Sequence, residues 1–114
     1  MHGVCITLKD NIDVTGETTM AGGVVCAGEA PAMHDAPVVQ RLRDAGAVVL
    51  GKTNMSEFAF SGVGINPHHG TPANPVDAAH ARVPGGSSSG AAVSVALGLA
   101  EVGIGTDTGG SIRI

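Results

Sequence analysis

Hydrophobic and polar positions alternate at the start of the chain: Val4, Ile6 and Leu8 fall on one side, Cys5, Thr7 and Lys9 on the other. A period of two predicts a short strand. It should end at Asp10-Asn11, whose side chains bond to neighbouring backbone and so favour a turn. The period changes after Ala36. In PVVQRLRDAGA, residues Val38, Val39, Leu42 and Ala45 recur at helical spacing, Pro37 suits a first turn and Gly46 a C-terminal stop. Ala47 to Leu50 is a compact apolar run and reads as a buried strand. Gly51-Lys52-Thr53-Asn54 then leads into MSEFAF, read as a short helix capped by Asn54.

Periodicity disappears over residues 61–86, which hold four of the six prolines, many glycines and three histidines. An irregular connection of that length in a compact domain carries function or wraps a site. After PGGSSSG the run AAVSVALGLA predicts a helix of small residues, and VGIG a further strand. Strand, helix, strand, then serine loop, helix, strand, glycine loop is βα alternation, so the expected fold class is α/β with a largely parallel sheet.

Composition narrows the core rather than changing that picture. The 114 residues make one domain at most, with two Phe and no Tyr or Trp, so Val, Leu, Ile, Ala and Met must fill the interior. The net charge is −4 and the six Lys and Arg are scattered. Clustered cations are what phosphate neutralisation needs, so a nucleic-acid surface is not expected. Cys5 and Cys26 form no CxxC unit and read as free thiols. No cationic segment followed by an apolar run opens the chain, and Glu101 interrupts its longest weakly apolar stretch, Gly90 to Gly105. A soluble, cytoplasmic protein without a membrane span is the expectation.

Chemistry concentrates near the end, in GIGTDTGGSIRI. The residues flanking Gly109-Gly110 are small and polar, and the glycines let something approach the backbone closely beside Ser111. A serine attacking an amide needs a base for its proton and backbone donors for the oxyanion. The five histidines (His2, His34, His68, His69 and His80) show no spacing to a carboxylate that predicts a Ser–His–Asp arrangement. Lysine is the alternative base. It titrates near ~10.4 when free, so neutrality at pH 7.5 needs a depression of roughly 3 units, about 4 kcal/mol; burial can supply it. Lys9 leaves an apolar strand, which suits burial. Plainer readings stand beside these: Lys9 as a surface lysine, Ser88 or Ser89 as a helix cap, DTGG as a turn. PGGSSSG lacks the GK[ST] ending of a phosphate loop, GIGTDTGG has Thr108 where GxGxxG needs glycine, and His68-His69 lack HExxH, so no metal site is expected.

Taken in order, the blocks GVCITLKDNID, RLRDAGAVVLGKTNMSEFAFS, PGGSSSGAAVSVALGLA and GIGTDTGGSIRI resemble the amidase signature family over nearly the whole chain. The family's two serines are twenty-four positions apart, as Ser87 and Ser111 are here. The resemblance implies hydrolysis of amides through an acyl-serine. Lys9 would be the neutral base, Ser87 the relay serine after a cis Gly86–Ser87 bond, and Ser111 the nucleophile. The N–H groups of Thr108, Gly109, Gly110 and Ser111 would form the oxyanion hole, and Ser88, Asp107 and Arg113 a supporting network. No metal and no cofactor is implied. The implied fold is a mixed, largely parallel sheet flanked by helices, of which residues 1–114 form a part.

The implied substrate is a small-molecule amide, and the implied association is a second copy of the chain. SGVGINPHHGTPANPVD lacks the Ser-Thr-Glu run seen in the glutaminase component of tRNA amidotransferases and looks more like general amidases. That glutaminase, working with its partner subunits, is the second reading. A non-catalytic α/β remnant or interaction module is a third. The family domain is several times longer than this chain. The expectation is therefore a piece of a larger enzyme, or a truncated gene, with little or no turnover in isolation. Unfinished sheet edges would also invite aggregation.

Overall fold

A computed structural model describes residues 1–114. Three strands, β1 (Cys5–Lys9), β2 (Val48–Thr53) and β3 (Val102–Ile104), and two helices, α1 (Pro37–Asp44) and α2 (Ser89–Ala96), form the regular structure. The strands lie in the order β2-β1-β3, and both pairings are parallel. Parallel neighbours need crossovers. The first carries α1; the second runs from β2 past the central strand and carries α2. The expected βα alternation is what the chain forms.

The central strand is covered on both faces. Ile6 and Leu8 are fully buried and pack with Ile12, Val14 and Val39, while Leu42 of α1 leans on the same cluster. The alternate face is covered as well over most of its length. Thr7 is buried there, its hydroxyl 3.0 Å from Ser94 Oγ of α2, and Lys9 is fully buried. Two covered faces are characteristic of parallel sheets. Alternation along β1 therefore separates two packed layers, one apolar and one built of small polar contacts.

Pro37 occupies the first turn of α1, which ends through Gly46 at a φ of +88°. Beyond it β2 departs from expectation. It extends to Thr53, and Val48 and Leu50 are about half exposed rather than buried. It is an edge strand, and Leu50 is an extra residue: Ile6 pairs with Val49 and Thr7 with Gly51. A bulge of that kind turns side chains out of the ladder.

MSEFAF also differs from its reading. Only Glu57–Ala59 coil, as a 3-10 turn, with Phe58 and Ala59 at φ +49° and +58°. Asn54 caps no helix; its Nδ2 donates to the Gly70 carbonyl at 2.5 Å, and its Oδ1 accepts from the Met55 N–H. The side chain anchors a loop instead. Residues 61–86 contain no helix or strand. Buried Asn66 holds this stretch down, donating to the Gly22 and Met55 carbonyls at 2.7 and 2.8 Å and accepting from the His68 and His69 N–H groups.

Helix α2 starts at Ser89, earlier than expected, and stops at Ala96 because Gly98 takes a φ of +69°. Ser88 stands at the cap position, but neither serine hydroxyl caps. Ser88 Oγ donates to the Thr106 carbonyl and Ser89 Oγ to the Asn54 carbonyl, each at 3.3 Å. Both cysteines are free thiols. No helix is long and apolar enough to cross a membrane.

Candidate active site

Two strand ends and one helix start converge. Lys9 is the last residue of β1, Thr106 follows β3, and Ser87 lies just before α2. Lys9 Nζ sits 2.7 Å from Ser87 Oγ and donates to the Thr106 carbonyl at 3.3 Å. Lys9 and Ser87 are both fully buried. The surface-lysine reading is thereby removed. The Gly86–Ser87 peptide is cis, as expected, and the Ser87 carbonyl accepts the Ser56 N–H at 3.1 Å.

Burial pushes the Lys9 amine below its ordinary value, and the Asp107 carboxylate opposes that shift only in part. The local partners agree with an uncharged amine. A neutral amine has one lone pair and two hydrogens; it can accept the Ser87 hydroxyl hydrogen and donate to Thr106. An ammonium would bring three hydrogens to two acceptors, with no carboxylate bonded to it.

The loop carrying Ser111 is fastened to the serine loop through backbone, Ser88 N–H donating to the Ser111 carbonyl at 3.0 Å. No hydrogen bond joins the Ser111 hydroxyl to Ser87. Ser111, Thr108 and Gly109 instead border an open cleft of about 670 Å³, whose other walls include Asn11, Phe58, Phe60, Thr106 and Ile114. The cleft holds no histidine.

The four amides expected to bind an oxyanion are not equivalent. Those of Thr108, Gly109 and Ser111 make no internal hydrogen bond, whereas the Gly110 N–H donates to Asp107 Oδ1 at 2.9 Å. A loop folded back on its own carboxylate spends that donor internally. Asp107 also accepts from Ile112 N–H at 3.2 Å and from Arg113 Nε and Nη2 at 2.9 Å each. The Arg113 guanidinium, with the two N–H groups, holds the Asp107 acid far below the usual carboxylate range, and Asp107 raises Arg113 in return. A depressed acid stabilises the fold above its unfolded value near 3.8 and ceases to do so as pH falls through the folded value. Asp107→Asn should therefore flatten the acid limb of stability below about pH 4, read from urea midpoints across pH. An unchanged acid limb would remove Asp107 from this role.

Sequence reasoning missed two participants. Thr106 contributes a main-chain carbonyl to both Lys9 and Ser88, which no side-chain pattern discloses. Asn11 read only as a turn residue, yet it reaches the cleft and donates through Nδ2 to Thr106 Oγ1 at 3.0 Å. Its position two residues beyond Lys9 was the available signal.

The sequence model of the family described as Amidase matches residues 1–114. The chain is 48% identical over 113 residues to a glutamyl-tRNA(Gln) amidotransferase subunit of Natronomonas pharaonis, covering 99% of this chain and 26% of that protein. It is 49% identical over 115 residues to Amidase 1 of Oryza sativa subsp. japonica, covering 100% of this chain and 26% of that one. Among solved structures it superposes on the native peptide amidase of Stenotrophomonas maltophilia with a TM-score of 0.83 and 50% identity, over 96% of this chain and 23% of the other. The chain thus spans about a quarter of the length of these relatives.

Proposed function

Since the chain belongs to the amidase family, we propose that it carries the reacting groups for amide-bond hydrolysis through an acyl-serine. The observation that carries this reading is the 2.7 Å contact between the buried Lys9 amine and the buried Ser87 hydroxyl, beside a serine that opens on a cleft. Ser111 Oγ attacks the substrate carbonyl. Its proton passes to Ser87 while the Ser87 hydroxyl hydrogen passes to Lys9. Negative charge on the carbonyl oxygen meets the unengaged N–H groups of Thr108, Gly109 and Ser111. The tetrahedral adduct then collapses: the carbon–nitrogen bond breaks, the leaving amine takes the proton back along the same path, and the acyl group stays on Ser111. Water then attacks the acyl carbon and gives a proton to the same relay; the ester bond to Ser111 breaks, Ser111 Oγ takes that proton back, and the acid leaves as its carboxylate.

The step from Ser111 to Ser87 requires the two hydroxyls to come into contact when substrate fills the cleft; catalytic hydrogen bonds of resting sites are often long and tighten on binding. Ser88, Asp107 and Arg113 keep the loops in register. The substrate we infer is a small carboxamide. A second reading, the glutaminase component of a tRNA amidotransferase, is favoured by the 48% identity to a protein of such a complex. Ammonia release from glutamine that depends on partner subunits and charged tRNA would select it.

A fluorophosphonate probe tests the reading without requiring turnover. The folded chain should acquire one adduct, mapped by mass spectrometry to Ser111, and Ser111→Ala should acquire none. A folded chain that takes up no probe would instead be a non-catalytic remnant.

A further inference from the structure

We propose that Asn11 is a positioning residue of this site: through its amide's bond to the Thr106 hydroxyl it holds the Thr106 carbonyl against the Lys9 amine. This rests on the reading of Lys9 as the base. The chain of contacts is short. Asn11 Nδ2 donates to Thr106 Oγ1 at 3.0 Å, and the carbonyl of the same threonine accepts from Lys9 Nζ and from Ser88 Oγ, both at 3.3 Å. Thr106 belongs to no strand or helix. Its carbonyl is therefore aimed by side-chain contacts rather than by a ladder, and Asn11 provides the one that grips the threonine side chain.

A second observation separates this from an incidental turn contact. Asn11 Oδ1 is buried with no hydrogen-bond partner. Turning the amide over would only exchange the orphan, because the Thr106 hydroxyl is the one polar group bonded to this side chain. An unpaired buried carbonyl is unfavourable and offsets part of what the Nδ2 bond to Thr106 contributes to stability. What the amide provides besides is a fixed acceptor beside Lys9. When Lys9 takes up a proton, that acceptor helps to stabilise the ammonium in a setting with few free charges. Asp107 is bonded to Arg113, and Asp10, next to Lys9 in the chain, is paired with Lys52 at 3.4 Å.

The test follows the Lys9 side-chain resonance of the full chain, labelled at lysine, as pH is raised. Wild type is compared with Asn11→Ala, Thr106→Val, the double variant and Thr106→Ser. Loss of the grip should lower the Lys9 midpoint by about half a unit or more, roughly a threefold loss of proton affinity. The double variant should match the singles, because both break one link. Thr106→Ser, which keeps the hydroxyl, should titrate like wild type. Thr106→Val is nearly isosteric and serves if Asn11→Ala does not fold. An unmoved midpoint in whichever of these variants folds, or additive shifts in the double variant, overturns the proposal. A wild-type midpoint near the ordinary lysine value would count against Lys9 as the base, a result separate from whether the variants move it.

Discussion

Lys9→Met should abolish acylation of Ser111 by a serine probe and remove the rise in stability expected of the wild-type chain as pH climbs towards the ordinary lysine value. The first effect follows from the proposed relay. Without an amine 2.7 Å from Ser87, no group in the site can take the serine proton, and general-base catalysis is typically worth about 10² to 10⁴ in rate. The second follows from linkage. Burial lowers the Lys9 amine in the folded chain, so between that value and about 10.4 the unfolded chain binds the extra proton. Stability must then increase with pH across this window. Methionine fills a similar volume and carries no proton, so urea midpoints of the variant should be flat there. Labelling that persists within a factor of two of wild type would show that another group is the base.

Gly90→Ala destabilises the chain and does so without touching a reacting atom. Gly90 lies in the first turn of α2 and donates its N–H to the Asn54 carbonyl at 2.9 Å. A methyl group there would stand 2.6 Å from the Asn54 nitrogen and 2.8 Å from its carbonyl oxygen. Both obstacles are main-chain atoms next to the end of β2, so relief requires the helix start to move away from the sheet. Overpacking of this kind costs roughly 1 to 3 kcal/mol, against which the helical preference of alanine over glycine returns about 1 kcal/mol at most. Because Ser87 lies only a few residues before this turn, labelling of Ser111 should fall with stability. Gly28→Ala, where a methyl group meets nothing within 4 Å, is the control. Equal urea midpoints for the two variants would contradict the overpacking argument.

What the sequence disclosed was whatever depends on local pattern. The period of two placed β1, Pro37 and Gly46 bounded α1, and the ordered blocks, with the interval from Ser87 to Ser111, exposed the family. Contributions that depend on tertiary neighbours stayed hidden. Alternation in β1 reads equally as apolar-in, polar-out; only the packing of α2 over Thr7 and Lys9 makes both faces interior. The apolar run Ala47 to Leu50 suggested burial, but a bulge at an edge strand turns Leu50 outward. Phe58 and Ala59 enter the left-handed region with no glycine to announce it. Thr106 acts through its carbonyl, which every residue possesses. The Gly110 amide illustrates the same limit: glycine allows an inward N–H, but the choice between a ligand and Asp107 is made by the loop as a whole.

Whether nitrogen at position 9 is protonated in the folded chain can be read directly from its ¹⁵N resonance at pH 8. A free amine is expected there, with an ammonium appearing only on acidification. A side chain still fully protonated at that pH, titrating near the ordinary lysine value of about 10.4, would contradict a relay that ends on Lys9.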